Sequence, residues 1–143
     1  MYDIASEVVS IADACLGGLQ GRAALLIGPN EQRYPYIQLL WRARMKNIIQ
    51  EDKPVSIPYL LPHVQLVINM PAHSASGSVA SPETVLTAAA IAQGCEGRHT
   101  PLLIFDLAPH GSVEELAGLL PAVCLYTPED LRHIFRKIAM KAS

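Results

Sequence analysis

Charge is scarce in this sequence. Of its 143 residues 17% are charged, and 11 basic against 13 acidic side chains leave a formal net charge of -2. With half the chain hydrophobic, enough apolar surface can be buried to offset chain entropy, which excludes an intrinsically disordered protein. The near balance of charge argues against a nucleic-acid-binding surface spread over the whole chain, so nucleic acid is not an expected partner. Long hydrophobic runs are also missing. Stretches such as Pro101 to Phe105 are strand-sized, well below the roughly 20 residues a membrane helix needs. Asp3 and Glu7 interrupt the N-terminus, which has no signal-peptide pattern, and a cytoplasmic location is expected. Cysteine is limited to Cys15, Cys95 and Cys124, an odd count without C-x-x-C spacing. That excludes a disulfide framework and reads as reduced packing thiols. His63, His73, His99, His110 and His133 do not fall at metal-ligand spacings, and no metal site is expected.

What is present is an alternation of two periodicities. Ile4, Val8, Ile11 and Cys15 mark one face of a helix that Gly17-Gly18 ends. Ala23 to Ile27 is a continuous apolar run closed by Gly28-Pro29-Asn30, the pattern of a strand buried on both faces. From about Pro35 to Met45 a second helix is predicted. Its inward face is Ile37, Leu40 and Trp41, and Arg42, Arg44 and Lys46 suit its negative end. Asn47 to Gln50, Val64 to Met70, Leu102 to Leu107 and Ala122 to Tyr126 read as further strands. Ser81-Pro82-Glu83 is a helix start whose helix runs to Gly94, and Ser112 to Leu119 is a short helix. Thr127-Pro128-Glu129-Asp130 starts the last helix, with Leu131, Ile134, Phe135 and Ile138 on one face. The expected fold is therefore α/β: a Rossmann-like, doubly wound, mostly parallel sheet of about five strands flanked by helices. With no linker, repeat or low-complexity tract, residues 1–143 read as one domain, 1–20 a leading helix and 21–143 alternating strands and helices.

Several of these segments carry a family resemblance. Pro101-Leu-Leu-Ile-Phe-Asp-Leu-Ala108, Val113-Glu-Glu-Leu116 and Leu120-Pro-Ala-Val-Cys-Leu-Tyr-Thr-Pro-Glu-Asp-Leu131 resemble glutamyl-tRNA reductase in order and spacing. So does Leu19-Gln-Gly-Arg-Ala-Ala-Leu-Leu-Ile-Gly28, which is similar to that family's linker and first strand. The match is to the NADPH-binding Rossmann domain alone, over essentially the whole chain. The resemblance implies a role in tetrapyrrole biosynthesis and NADPH as the cofactor. The family's catalytic cysteine and its dimerisation helices lie on other domains, which are missing here. Since no stretch around the three cysteines resembles the catalytic motif, no catalytic residue is assigned and the chain alone is not expected to reduce glutamyl-tRNA.

The phosphate loop departs from the family. A dinucleotide fingerprint needs three glycines, for a tight turn, for close approach to the pyrophosphate and for helix–strand packing. In Gly28-Pro29-Asn30-Glu31-Gln32-Arg33 only the first is present. Asn30 adds bulk, Glu31 adds a carboxylate near the phosphates, and Arg33 puts a long side chain at the packing position. Pro35 biases Tyr34 away from helical geometry, so the helix start is expected near Pro35, displaced from the loop. The counter-reading is that Arg33 itself clamps a phosphate. Glu51, beside Asp52, lies roughly twenty positions past the first glycine, where an acid can bind a ribose hydroxyl; Gln50-Glu51-Asp52 would repel a 2′-phosphate, which makes NAD(H) electrostatically easier than NADPH. Gly28, Asn30, Arg33, Glu51, His73 and Asp106 are thus the candidate cofactor-binding residues. His73 and Asp106 enter because they follow strands at the carboxyl ends of a parallel sheet. Pro-Ala-His73 resembles a family Ala-Pro-His segment with its order altered.

Three functions are compatible with these features. The first is a glutamyl-tRNA reductase-like Rossmann domain with a degenerate dinucleotide site, a non-catalytic binding or regulatory module with a protein partner in tetrapyrrole metabolism. The second is a working NAD(P)-binding domain of an oxidoreductase; another small ligand at the same switch point is a third. Self-association is compatible with any of them.

Overall fold

In a computed structural model, the structure describes residues 4–52, 57–70, 86–108 and 113–142. Five short strands form one wholly parallel sheet: β1 (Ala23–Ile27), β2 (Asn47–Glu51), β3 (Leu66–Asn69), β4 (Leu102–Asp106) and β5 (Val123–Tyr126), in the order β2-β1-β3-β4-β5. Helices α1 (Ile4–Leu16), α2 (Asn30–Arg42), α3 (Ile57–Leu60), α4 (Ala88–Gly94) and α5 (Pro128–Ala142) connect and flank them, with 3-10 turns at Leu61–His63 and Glu115–Leu119. This is the expected doubly wound α/β fold. β1, β3 and β4 are buried along their whole length, as unbroken apolar runs in a parallel sheet should be. β5 is parallel as expected, yet it is an edge strand: Val123, Leu125 and Tyr126 are half-buried and Cys124 is exposed.

The alternation of side chains divides the core in two. Ala24, Leu26, Leu66, Ile68, Leu103 and Phe105 face α1, α2 and α5. Leu25, Ile27, Val67, Leu102 and Ile104 face Ile57, Leu61, Ile91 and Ala117 on the other side.

Several sequence expectations shift. The buried stripe of α1 is Ala5, Val8, Val9, Ala12 and Leu16, so Ile4 and Cys15 turn outward. None of the three cysteines is buried; Cys15 and Cys124 are exposed and Cys95 is half-buried. Trp41, expected against the sheet, is 52% exposed, because α2 buries Arg33, Tyr36 and Leu40 instead. Residues 57–63, for which the sequence pattern predicts no element, make a helical turn and a 3-10 turn. The helix ending at Gly94 starts at Ala88, where the Thr87 hydroxyl accepts from the Ala90 amide at 3.1 Å; Ser81, Pro82 and Glu83 lie outside the described residues. Gly94 is not a left-handed C-terminal glycine. It is the last helical residue, and a Cβ there would stand 2.7 Å from Leu61 Cβ.

Phe105 is fully buried and stacks on Tyr126 at 5.0 Å between ring centroids. Phe105→Ala should destabilise by ~3–5 kcal/mol, whereas Trp41→Ala, at a half-exposed site, should cost less than about 1 kcal/mol. Urea unfolding of both variants measures the contrast; a larger loss at Trp41 would contradict this packing.

Candidate functional site

The chain leaves β1, moves outward to β2, then returns across β1 to β3. This reversal places the topological switch point between β1 and β3, at whose carboxyl ends ligands gather in open α/β sheets. In register there stand Ile27, Glu51, Asn69 and Asp106.

Gly28 closes β1 with φ +141°, a conformation rarely open to other residues. A Cβ at this position would lie 2.8 Å from Met70 Cβ. Met70 follows β3, is 4% exposed and donates its amide to the Ile27 carbonyl at 2.8 Å, so its side chain packs directly on the turn. The Gly28 amide donates to the Glu51 carbonyl at 2.9 Å, fastening the same turn to β2.

The helix start corrects the sequence expectation. α2 begins at Asn30, directly after the turn, and Pro35 lies inside it. Pro29 is the N-cap, at φ −60° and ψ 145°. The amide missing at Pro35 would have donated to Glu31, and both residues are exposed, so water can satisfy that carbonyl. Pro29 offers no capping side chain, and the Asn30 and Glu31 amides precede any intrahelical acceptor.

Arg33 is the least expected feature. It is 8% exposed, buried on the inward face of α2. One terminal nitrogen, Nη2, donates to Asn30 Oδ1 at 3.4 Å and pairs with Asp52 Oδ1 at 3.2 Å. Its Nε is buried without a hydrogen-bond partner. Asp52 is 80% exposed at the end of β2. Glu51 is half-buried, with its carbonyl on the Gly28 amide. Asp106 is 1% exposed; its carboxylate accepts from the Val113 amide at 3.0 Å, the Ala108 amide at 3.2 Å and the Asn69 side-chain amide at 3.4 Å. It ties the end of β4 to the segment where Leu86 and Val113 bridge. His73, Ser74 and His110 lie outside the described residues. The structure thus gathers Gly28, Asn30, Arg33 and Glu51 on the β1–β2 side, with Asp106 across the switch point. Sequence reasoning weighed Asp52 only as a neighbour of Glu51, and missed Met70; the apolar residue closing β3 beside the β1 glycine was the available signal.

A second polar cluster lies at the sheet edge. Tyr126 Oη and Cys15 Sγ share a hydrogen bond of 3.3 Å. That bond, with burial and the nearby Cys15, Cys124 and Asp130, pushes the Tyr126 hydroxyl up to about 12. Burial also raises the thiols of Cys124 and Cys95, against Arg98 in the latter case. Among the described residues no group of three or more His, Cys, Asp or Glu could hold a metal ion, and no helix is long and apolar enough to cross a membrane.

A five-stranded parallel sheet with its switch point at a β-strand–glycine–helix turn defines a Rossmann-type domain. Over that domain the chain is similar in sequence to glutamyl-tRNA reductases. It is 27% identical over 150 residues to glutamyl-tRNA reductase of Hahella chejuensis, 29% over 150 residues to that of Alkalilimnicola ehrlichii and 28% over 148 residues to that of Methanospirillum hungatei. Each comparison covers 92% of this chain but 34%, 32% and 35% of the relative, so the chain spans about a third of their length. No family model matches. Among solved structures, glutamyl-tRNA reductase from Methanopyrus kandleri superposes with a TM-score of 0.75 at 20% identity, over 96% of this chain and 37% of that one. NADPH-dependent glyoxylate/hydroxypyruvate reductase from Sinorhizobium meliloti gives 0.60 at 10% identity, over 81% and 72%. At these identities the superpositions establish the fold.

The raised Tyr126 hydroxyl sets a stability dependence. Between its ordinary value near 10 and about 12 the unfolded chain has lost this proton and the folded one keeps it, so stability falls as pH rises through that window. Cys15→Ala should bring the phenolate absorbance transition back toward the ordinary range; an unchanged transition would show that the thiol does not hold the hydroxyl.

Proposed function

We propose that this chain is a glutamyl-tRNA reductase-like Rossmann domain whose dinucleotide site no longer holds NADPH tightly, and that it serves as a non-catalytic binding module in tetrapyrrole metabolism, working in the cytoplasm with a protein partner or a second copy. The observation that carries this reading is the Arg33–Asp52 pair, which puts a guanidinium where a dinucleotide-binding turn needs a glycine and holds it from the residue next to Glu51, the candidate ribose-binding acid. Three features support it. Arg33 takes the third-glycine position with a buried guanidinium. Met70 packs on Gly28, leaving little depth for a pyrophosphate crossing from β1 toward β3. Glu31 sits exposed in the first turn of α2, where a carboxylate opposes a phosphate by like charge. On these residues the pyrophosphate of NADPH does not fit the turn, and no hydride-transfer step is assigned to the chain.

One observation favours the second reading, a working NAD(P)-binding domain. Because α2 starts at Asn30, its free amides stand beside the turn and remain available to an anion. Calorimetry separates the two. NADPH should show no binding at micromolar concentration and NADH at most weak binding. A micromolar constant for either nucleotide overturns the first reading in favour of the second. Asn30→Gly with Arg33→Gly tests the cause: with the helix already starting at Asn30, the double variant should tighten NADH binding at least tenfold over the parent chain. No gain would show that the missing glycines are not the obstacle.

A further inference from the structure

Arg33 is more than nine-tenths buried, and its hydrogen bonding is incomplete. Asp52 takes one Nη2 contact at 3.2 Å, from a side chain that is 80% exposed, while the adjacent Nε stays buried and unpartnered. Nε and a terminal nitrogen form the side-on fork of a guanidinium, which matches two oxygens of a phosphate or carboxylate. The pair as it stands uses half of that fork. A buried donor left unmade is costly, so the arrangement favours any anion able to engage both nitrogens.

The surroundings supply further donors. The thirteen-residue helix α2 begins one turn before Arg33, with no capping side chain on Pro29. The amides of Asn30 and Glu31 point toward the helix start, where the dipole favours negative charge. Asn30 Oδ1, 3.4 Å from Nη2, orients the guanidinium from the same turn. Arg33 pairs with Asp52 just past the end of β2, on the β1–β2 side of the switch point.

We propose that Arg33, together with the first-turn amides of α2, is a binding site for a single phosphomonoester, and that the Asp52 carboxylate is its built-in competitor. The inference rests on the reading that the turn refuses a dinucleotide, and it names what the remaining half-site accepts. A monophosphate needs only the Arg33 fork and the first-turn amides; a pyrophosphate must also pass the close Gly28–Met70 approach. Asp52 holds the guanidinium when no ligand is present and swings into solvent when the phosphate enters. Glu31, also in the first turn, opposes the ligand by like charge and sets the site in the weak range.

The test uses NMR of the full chain at constant ionic strength. Inorganic phosphate is titrated in one arm and adenosine 5′-monophosphate in a second. Saturable shifts of the Arg33 Nε–H and of the Asn30 and Glu31 amides are expected in both. Asp52→Asn, which keeps a polar side chain beside the guanidinium and whose folding is checked by urea unfolding, should tighten binding at least fivefold. Arg33→Gln should abolish it. Saturation by inorganic phosphate alone would assign the site to free phosphate; tighter binding of the nucleotide would assign it to a phosphomonoester carrying a sugar. No saturation in either the parent chain or Asp52→Asn overturns the proposal, as does phosphate binding that survives Arg33→Gln. A separate NADPH titration keeps the two readings apart: micromolar NADPH binding overturns the proposed function, while the Asp52→Asn comparison with phosphate still decides this one.

Discussion

The end of β1 and the residue after β3 approach so closely that position 28 has no room for a side chain. A Cβ there would stand 2.8 Å from Met70 Cβ. Two consequences follow from this one contact. The chain must turn with a positive φ that glycine adopts readily, which sends α2 off immediately after Pro29. The buried Met70 lies against this turn at the switch point between β1 and β3, the usual ligand position of a doubly wound sheet. The turn keeps the strand–glycine–helix shape of a nucleotide-binding turn, with Met70 lying against its glycine.

Arg33 completes the change on the other side of β1. In a dinucleotide-binding turn this position brings helix and strand together with a small residue. Here a guanidinium is buried under α2 and tethered to Asp52 at the end of β2. Burying such a charge is tolerable only with a counter-charge at hand, and one exposed carboxylate is a modest partner. The similarity to glutamyl-tRNA reductases covers about one third of those proteins. Sheet, helix order and switch point agree with that similarity. A domain can keep such an architecture while the residues of one turn set what it binds, and the proposed function places that difference in residues 28–33 with Asp52 and Met70 beside them.

Much of the fold could be read from the chain because unbroken apolar runs such as Ala23 to Ile27 and Leu102 to Phe105 have one natural place, the middle of a parallel sheet. The edge character of β5 was not legible, since Val123 to Tyr126 is as apolar as the inner strands. The start of α2 was misjudged because the rule against helix before proline weighs local sterics alone; exposure of Glu31 and Pro35 lets solvent absorb the loss. Trp41 was assigned to the core because apolar spacing cannot count Arg33, whose burial with Tyr36 and Leu40 sets the inward face of α2. Gly28, Asn30, Arg33 and Glu51 were legible as a group from loop position. The Arg33–Asp52 pair and the Met70 contact were not, because both depend on how the ends of β2 and β3 are brought beside the turn.

The central claim is that ligand phosphate meets Arg33 but cannot cross between Gly28 and Met70. The backbone amide resonances of those two residues report it most directly when NADPH is added to the labelled chain. The account predicts that Gly28 and Met70 stay unmoved while only the Arg33 side chain responds, and weakly. Large, saturable shifts of Gly28 and Met70 at micromolar NADPH would place the pyrophosphate across the crevice and contradict it.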